Sequence, residues 1–261
     1  LNIFISSSVK ENIKDTVTLA NELGAGIEVC KFAEPAILDG NFDAVLEEFS
    51  DALKDFSGNI SLHGTFYDLN PASKDQRIKD ITVYRYNQSL KAAKELGAKT
   101  VVFHTGFNGM VKLPVYYNTF IENKIIFWKD FIKRFEDEGI IVVLENTYED
   151  EPDIILSIVN NINSPNLKIC VDTGHVNINS SSKVEEWVEK IGSKLHHMHL
   201  HNNSGRFDEH NSLLNGTIDF DKVIKTLQNN NYNPNLVIEI FKLEAALESF
   251  EYIKKYDNIR V

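Results

Sequence analysis

The chain predicts a single (β/α)8 TIM barrel, an α/β fold whose site lies at the C-terminal ends of the strands. Three observations carry that expectation. Eight short apolar runs alternate with eight longer stretches whose apolar residues recur every three or four positions. No linker, low-complexity tract or repeat interrupts the 261 residues, and one such barrel routinely fills roughly 200–250 residues. The first strand is followed by SSSVKEN, which contains no glycine. The Gly-rich phosphate loop of a doubly wound sheet, the rival α/β arrangement, is therefore missing. Residues 1–261 read as one domain.

The elements follow in order. Strand 3–7 leads into an amphipathic helix over 10–23, and strand 26–30 into a helix over 42–56 with Asn41 placed to cap it. Strand 60–63 precedes a helix over 78–96 that Gly97 stops, and strand 100–104 a helix over 116–138 that Gly139 stops. Strand 140–145 pairs with a helix over 154–162. Strand 167–172 pairs with one over 184–191, capped by Ser181 or Ser182. Strand 195–199 precedes a helix over 220–229 with Asp219 as its cap, and strand 236–240 a last helix over 243–256. Trp128 and Trp187 fall in helices and are expected in the core.

Composition narrows the function. Hydrophobic residues make up 43% and charged residues 25%, an ordinary globular balance. No apolar run approaches the roughly 18 residues of a membrane helix, so no membrane partner is expected. The segment LNIFISSSVKENIKD has no basic run before its apolar stretch, so no secretory signal is expected. Cys30 and Cys170 both sit in apolar runs, which excludes a disulfide framework and makes a cytoplasmic location the expectation. With 27 Lys+Arg against 38 Asp+Glu, the net charge of −11 argues against a broad nucleic-acid surface. A homo-oligomer is compatible with the sequence.

Chemistry concentrates at the strand ends. Six consecutive strands close on an ionisable residue: His63, His104, Glu145, Asp172, His199 and, for the eighth, Glu239. Such positions normally favour hydrophobes, because an unpaired buried charge costs several kcal/mol. A divalent cation that offsets the carboxylates and takes imidazole nitrogens explains six at once, and the donor types suit Zn2+ or Mn2+. All eight histidines fall in expected strands or the loops after them. His196 should face the helices by strand alternation, while His197 and His201 read as core or loop residues supporting the site.

The ordered segments LHGTFYDLNPAS, VVFHTG, VVLENTYEDEP, LKICVDTGH, HMHLHNNSGRFDEHNSLLNGTIDF and LVIEIF resemble the xylose isomerase-like TIM barrels. That superfamily contains sugar and sugar-phosphate isomerases and epimerases together with endonuclease IV. The match runs from the third strand to the eighth; the first fifty residues agree only in layout. The resemblance implies Glu145, Asp172, His199 and Glu239 as ligands of a central divalent ion. His63, His104, His175, Asp208 and His210 match further ligands with which the endonuclease branch holds a zinc cluster, so one ion and several both stay open.

Two chemistries follow. The first is a sugar or sugar-phosphate isomerase or epimerase. It would remove a proton beside a carbonyl through a metal-stabilised enediolate, with Glu145 and Glu239 as the acid–base pair. Its substrate contacts would come from His175, Arg206, Phe66, Tyr67 and Glu28, with Phe107 a further candidate wall. The second is an endonuclease IV-like phosphodiester hydrolase. The acidic NTYEDEPD after Glu145 and the scarcity of basic residues in the first two βα loops argue against it. A metal-dependent dehydratase and a non-catalytic small-molecule-binding barrel complete the alternatives.

Overall fold

Among the residues that the computed structural model describes, 1–257, eight parallel strands hydrogen-bond in chain order and close into a barrel. They are β1 (Asn2–Ser6), β2 (Gly26–Val29), β3 (Ile60–His63), β4 (Thr100–His104), β5 (Ile141–Glu145), β6 (Leu167–Asp172), β7 (Leu195–Leu200) and β8 (Asn235–Ile238). Each expected strand is present. Glu239 lies one position past β8 rather than inside it.

The helices form the outer ring: α1 (Ile13–Leu23), α2 (Pro35–Asp39), α3 (Phe42–Leu53), α4 (Gln76–Leu96), α5 (Pro114–Phe131), α6 (Lys133–Glu136), α7 (Asp153–Ile162), α8 (Thr173–Asn179), α9 (Val184–Ile191), α10 (Phe220–Asn229) and α11 (Leu243–Lys254). Gly97 ends α4 at φ +68°, a conformation glycine adopts without cost. Asp219 caps α10 by accepting the Lys222 N–H. Three expectations fail in detail. Asn41 stands at the start of α3, but its side chain makes no capping bond. The stretch 116–138 breaks into α5 and α6. Lys183, not Ser181 or Ser182, begins α9, because Glu186 Oε2 accepts the Lys183 backbone N–H at 3.2 Å.

Outside the barrel, aromatic rings fill the layer between strands and helices. Trp128 and Trp187 are both fully buried, and Trp128 packs on Tyr86, Phe103, Phe127 and Phe131. Inside, the register sets strand ends at matching heights, with His104 beside Glu145 and Asp172 beside His199. One irregularity matters. Ile169 pairs with Leu195 but Cys170 with His197, so β7 carries an extra residue, His196. The bulge overturns the expectation that His196 faces the helices. Its Nε2 lies 3.3 Å from Thr100 Oγ1 on β4, a contact between non-neighbouring strands that passes through the barrel interior. Beyond the bulge, His197 and His199 share the inward face.

Candidate metal centre

The barrel mouth gathers the strand-end residues around one imidazole. His199, fully buried at the end of β7, points Nδ1 at three carboxylates. Glu239 Oε2 is 3.3 Å away, Glu145 Oε1 3.4 Å and Asp172 Oδ2 3.7 Å. Bonds of about 2.0–2.2 Å to a common tetrahedral ion would separate ligand atoms by about 3.4 Å, so the spacing fits one cation. Glu145 turns its other oxygen elsewhere: Oε2 lies 3.3 Å from His104 Nε2 and 3.5 Å from His63 Nε2. A third group closes over the mouth, with Asp208 Oδ2 3.3 Å from both His175 Nε2 and His210 Nε2.

Local structure aims each donor. His63 Nδ1 faces the Gly64 carbonyl at 3.0 Å, His175 Nδ1 the Asn146 carbonyl at 2.9 Å, and His210 Nδ1 the Glu239 carbonyl at 2.7 Å. A carbonyl only accepts, so the neutral form of each ring carries its proton on Nδ1 and presents its Nε2 lone pair to the bowl. Asp172 begins α8 and accepts the His175 N–H at 2.7 Å, which brings His175 back over the mouth. Paired backbone bonds between Asn202 and Asn211 fold the loop after β7 so that Asp208 and His210 return to the mouth. His210 sits at φ +46°, a left-handed conformation uncommon outside glycine.

Electrostatics agree with the donor set. Burial would raise the Glu145 carboxyl, but His104 and His199 beside it hold it well below the usual range. Asp172 falls to about 2 against the same burial cost, through His175 and His201. Burial disfavours a proton on His210, yet Asp208 and Glu239 raise it to about 9. Among the described residues, buried Glu145 Oε2 and both ring nitrogens of His199 find no aligned hydrogen-bond partner. Buried polar atoms rarely stay so. Orphaned hard donors, imidazole nitrogens and converging carboxylates fit a divalent cation.

All nine residues expected as ligands therefore meet at one mouth. The expected substrate contacts divide. Phe66 and Tyr67 line a cavity of about 280 Å3 together with Phe241, and no lysine or arginine among the described residues lines it. Phe66 stacks on His104 at 4.4 Å, and Phe241 lies 4.5 Å from His210 on the opposite rim. Arg206 is exposed on the loop and does not line the cavity. Glu28 departs from the expectation: it is fully buried beneath His199, bonded to Ser61 and His197, and does not line the cavity. Phe107 packs against Tyr116 and Phe120 instead of walling the mouth. Sequence reasoning missed Asn146, whose side chain clamps the Asp172 backbone with bonds of 2.8 and 3.2 Å. Its place directly after Glu145 in LEN was the available signal. Phe241, just past Glu239, was missed as well.

The family model for the xylose isomerase-like TIM barrel matches residues 17–256. The chain belongs to that family. Among relatives of this xylose isomerase-like barrel is an uncharacterized protein of Methanocaldococcus jannaschii, MJ1311. It is 32% identical over 213 residues, 77% of this chain and 70% of its own. A crystal structure described as a D-tagatose 3-epimerase-like protein superposes with a TM-score of 0.83 at 28% identity, covering 99% of this chain and 98% of its own. The TTHB071 protein from Thermus thermophilus, soaked with ZnCl2, gives a TM-score of 0.80 at 22% identity, covering 98% of this chain and 99% of its own. Several other barrels of the same architecture are sugar epimerases.

Proposed function

We propose that this protein is a divalent-metal-dependent isomerase or epimerase acting on a sugar beside its carbonyl. The observation that carries the reading is the convergence of Glu145, Asp172 and Glu239 on His199 Nδ1 at 3.3–3.7 Å. Glu145, Asp172, His199 and Glu239 would hold the ion, Zn2+ or Mn2+ by donor type. When bound, it supplies Lewis acidity to neighbouring substrate oxygens. Glu145, kept ionised by His104 and His199 against the cost of burial, is the base that takes the proton. Glu239 comes from the end of β8, across the mouth from β5, and returns a proton to the other face. Phe66 and Tyr67 on one rim and Phe241 on the other offer apolar faces to a ring or chain of hydroxylated carbons. A cavity lined without Lys or Arg among the described residues suits an uncharged substrate.

The third donor group, His175, Asp208 and His210, favours a second reading, phosphodiester hydrolysis by clustered metals. Three dications against the carboxylates of Glu145, Asp172, Asp208 and Glu239 leave the mouth positive, which suits an anion. The test separates the two. Metal-loaded protein is incubated with a sugar panel in D2O and, separately, with abasic-site duplex DNA. Deuterium entering a C–H bond beside a sugar carbonyl supports the first reading. Strand cleavage without sugar exchange replaces it with the second. Failure to take up any divalent ion refutes both.

A further inference from the structure

Below the mouth, the barrel interior divides into unlike halves. Val102, Val143 and Cys170, from β4, β5 and β6, pack together as hydrocarbon and thiol. Across from them stand Glu28, Ser61 and His197, all fully buried. A barrel that needed only filling would use branched hydrophobes on both sides. A buried carboxylate instead costs several kcal/mol unless its partners are well placed. Here the partners come from distant parts of the chain, Glu28 and His197 being 169 positions apart.

Hydrogen-bond direction gives the column a purpose. Asn235 Nδ2 donates to His197 Nδ1 at 3.2 Å, so His197 carries its own proton on Nε2. That N–H donates to Glu28 Oε2 at 2.8 Å, and the Ser61 hydroxyl donates to the same oxygen at 2.9 Å. Two donors satisfy Oε2. Oε1 has no aligned hydrogen bond among the described residues and faces His199 Nε2 at 2.9 Å. With a cation held between Nδ1 and the carboxylates of Glu145, Asp172 and Glu239, the one remaining ring proton belongs on Nε2, beside a carboxylate oxygen that can only accept it. The other tautomer would leave a bare ring nitrogen 2.9 Å from a carboxylate oxygen in a buried site.

We propose that Glu28, held by His197 and Ser61, is a positioning residue that fixes His199 as an Nδ1 donor to a divalent cation at the barrel mouth. The inference rests on the metal reading of the site and adds a residue that does not line the cavity. Carboxylates behind a ligating imidazole typically change metal affinity about 10- to 100-fold when mutated. In Glu28→Gln one end of the carboxamide must present N–H either to His199 Nε2 or to the donors on His197 and Ser61. The first choice favours the wrong tautomer; the second removes the support.

The test uses the full chain, stripped of metal and titrated with Zn2+ against a chromophoric chelator. The ring 15N shifts of His199, assigned by long-range 1H–15N NMR, report the tautomer and the bound atom. In the Zn2+-loaded wild type, Nε2 should carry the proton and Nδ1 should be the nitrogen whose shift reports the bound ion. Glu28→Gln should weaken Zn2+ at His199 by about 10- to 100-fold and spread the proton over both nitrogens. Ser61→Ala, which leaves the His197 bond to Glu28, should weaken Zn2+ by less than Glu28→Gln does. Should Glu28→Gln fail to fold, the spectrum of the Zn2+-loaded wild type still decides, because Zn2+ at Nε2 or a proton kept on Nδ1 overturns the inference. So does unchanged affinity in Glu28→Gln. A wild type that takes up no Zn2+ overturns the metal reading itself, an outcome distinct from either.

Discussion

Lys124 is fully buried in α5, a place where an ammonium group is expected only with a partner. Its nitrogen has no hydrogen-bond partner among the described residues and lies 5.2 Å from the centre of the Phe120 ring. Burial, opposed only by the charge of Glu149, pulls its proton affinity from the ordinary 10.5 down to about 7. The unfolded chain therefore binds this proton more tightly than the folded one. Stability from this group is fully present above pH 10.5, falls as pH drops, and is lost once pH passes below about 7. Lys124→Met keeps the length and removes the charge. At about 1.4 kcal/mol per tenfold change in proton affinity, the variant should be more stable by about 4 kcal/mol at pH 7 and by less than about 1 kcal/mol at pH 10. For a domain of this size, about 4 kcal/mol corresponds to about 10 °C in melting temperature. Thermal unfolding of both proteins, followed by tryptophan fluorescence at pH 7, 8.5 and 10, measures the gap. A variant less stable than the wild type at pH 7, or a gap that does not shrink with rising pH, contradicts this account.

Three further outcomes are expected. Glu239→Ala should cost most of the bound divalent metal by elemental analysis, and the melting-temperature increase that metal gives the wild type should shrink with it. Gly174→Ala should destabilise by about 1–3 kcal/mol in urea unfolding. A methyl there would stand 1.9 Å from His201 Cε1, and the displaced ring would give up its contacts with Asp172 at 3.1 Å. Trp128→Ala should cost about 3–5 kcal/mol, since the indole is fully enclosed by rings that cannot all close the void.

The strands and the residues at the mouth were legible for one reason. Alternation puts His104, Glu145, Asp172 and His199 on the inner face, and a charged or imidazole residue ending an apolar run contradicts its surroundings unless something binds there. What stayed hidden depended on contacts across the barrel. Glu28 reads as a mouth residue until the Ser61 and His197 bonds place it below. His196 follows alternation until a single extra residue in β7 breaks it. Lys124 occupies a helix, where a lysine reads as solvated, and only the packing around α5 encloses it. Helix α8 escaped notice because the polar residues of TGHVNIN show no apolar period; the carboxylate of Asp172, not hydrophobic patterning, starts it.

That last carboxylate ties a backbone event to the mouth. Asp172 Oδ1 takes the His175 amide at 2.7 Å while Oδ2 faces His199. Opening the first turn of α8 would free one oxygen and let the other rotate, so, on the metal reading proposed above, fraying of that turn and filling of the bowl would be linked equilibria. The same free energy must appear from either side. The His175 amide would then be a reporter: its solvent exchange should slow in step with ligation, at a proton that takes no part in the chemistry. A single backbone hydrogen becomes a gauge of the whole mouth.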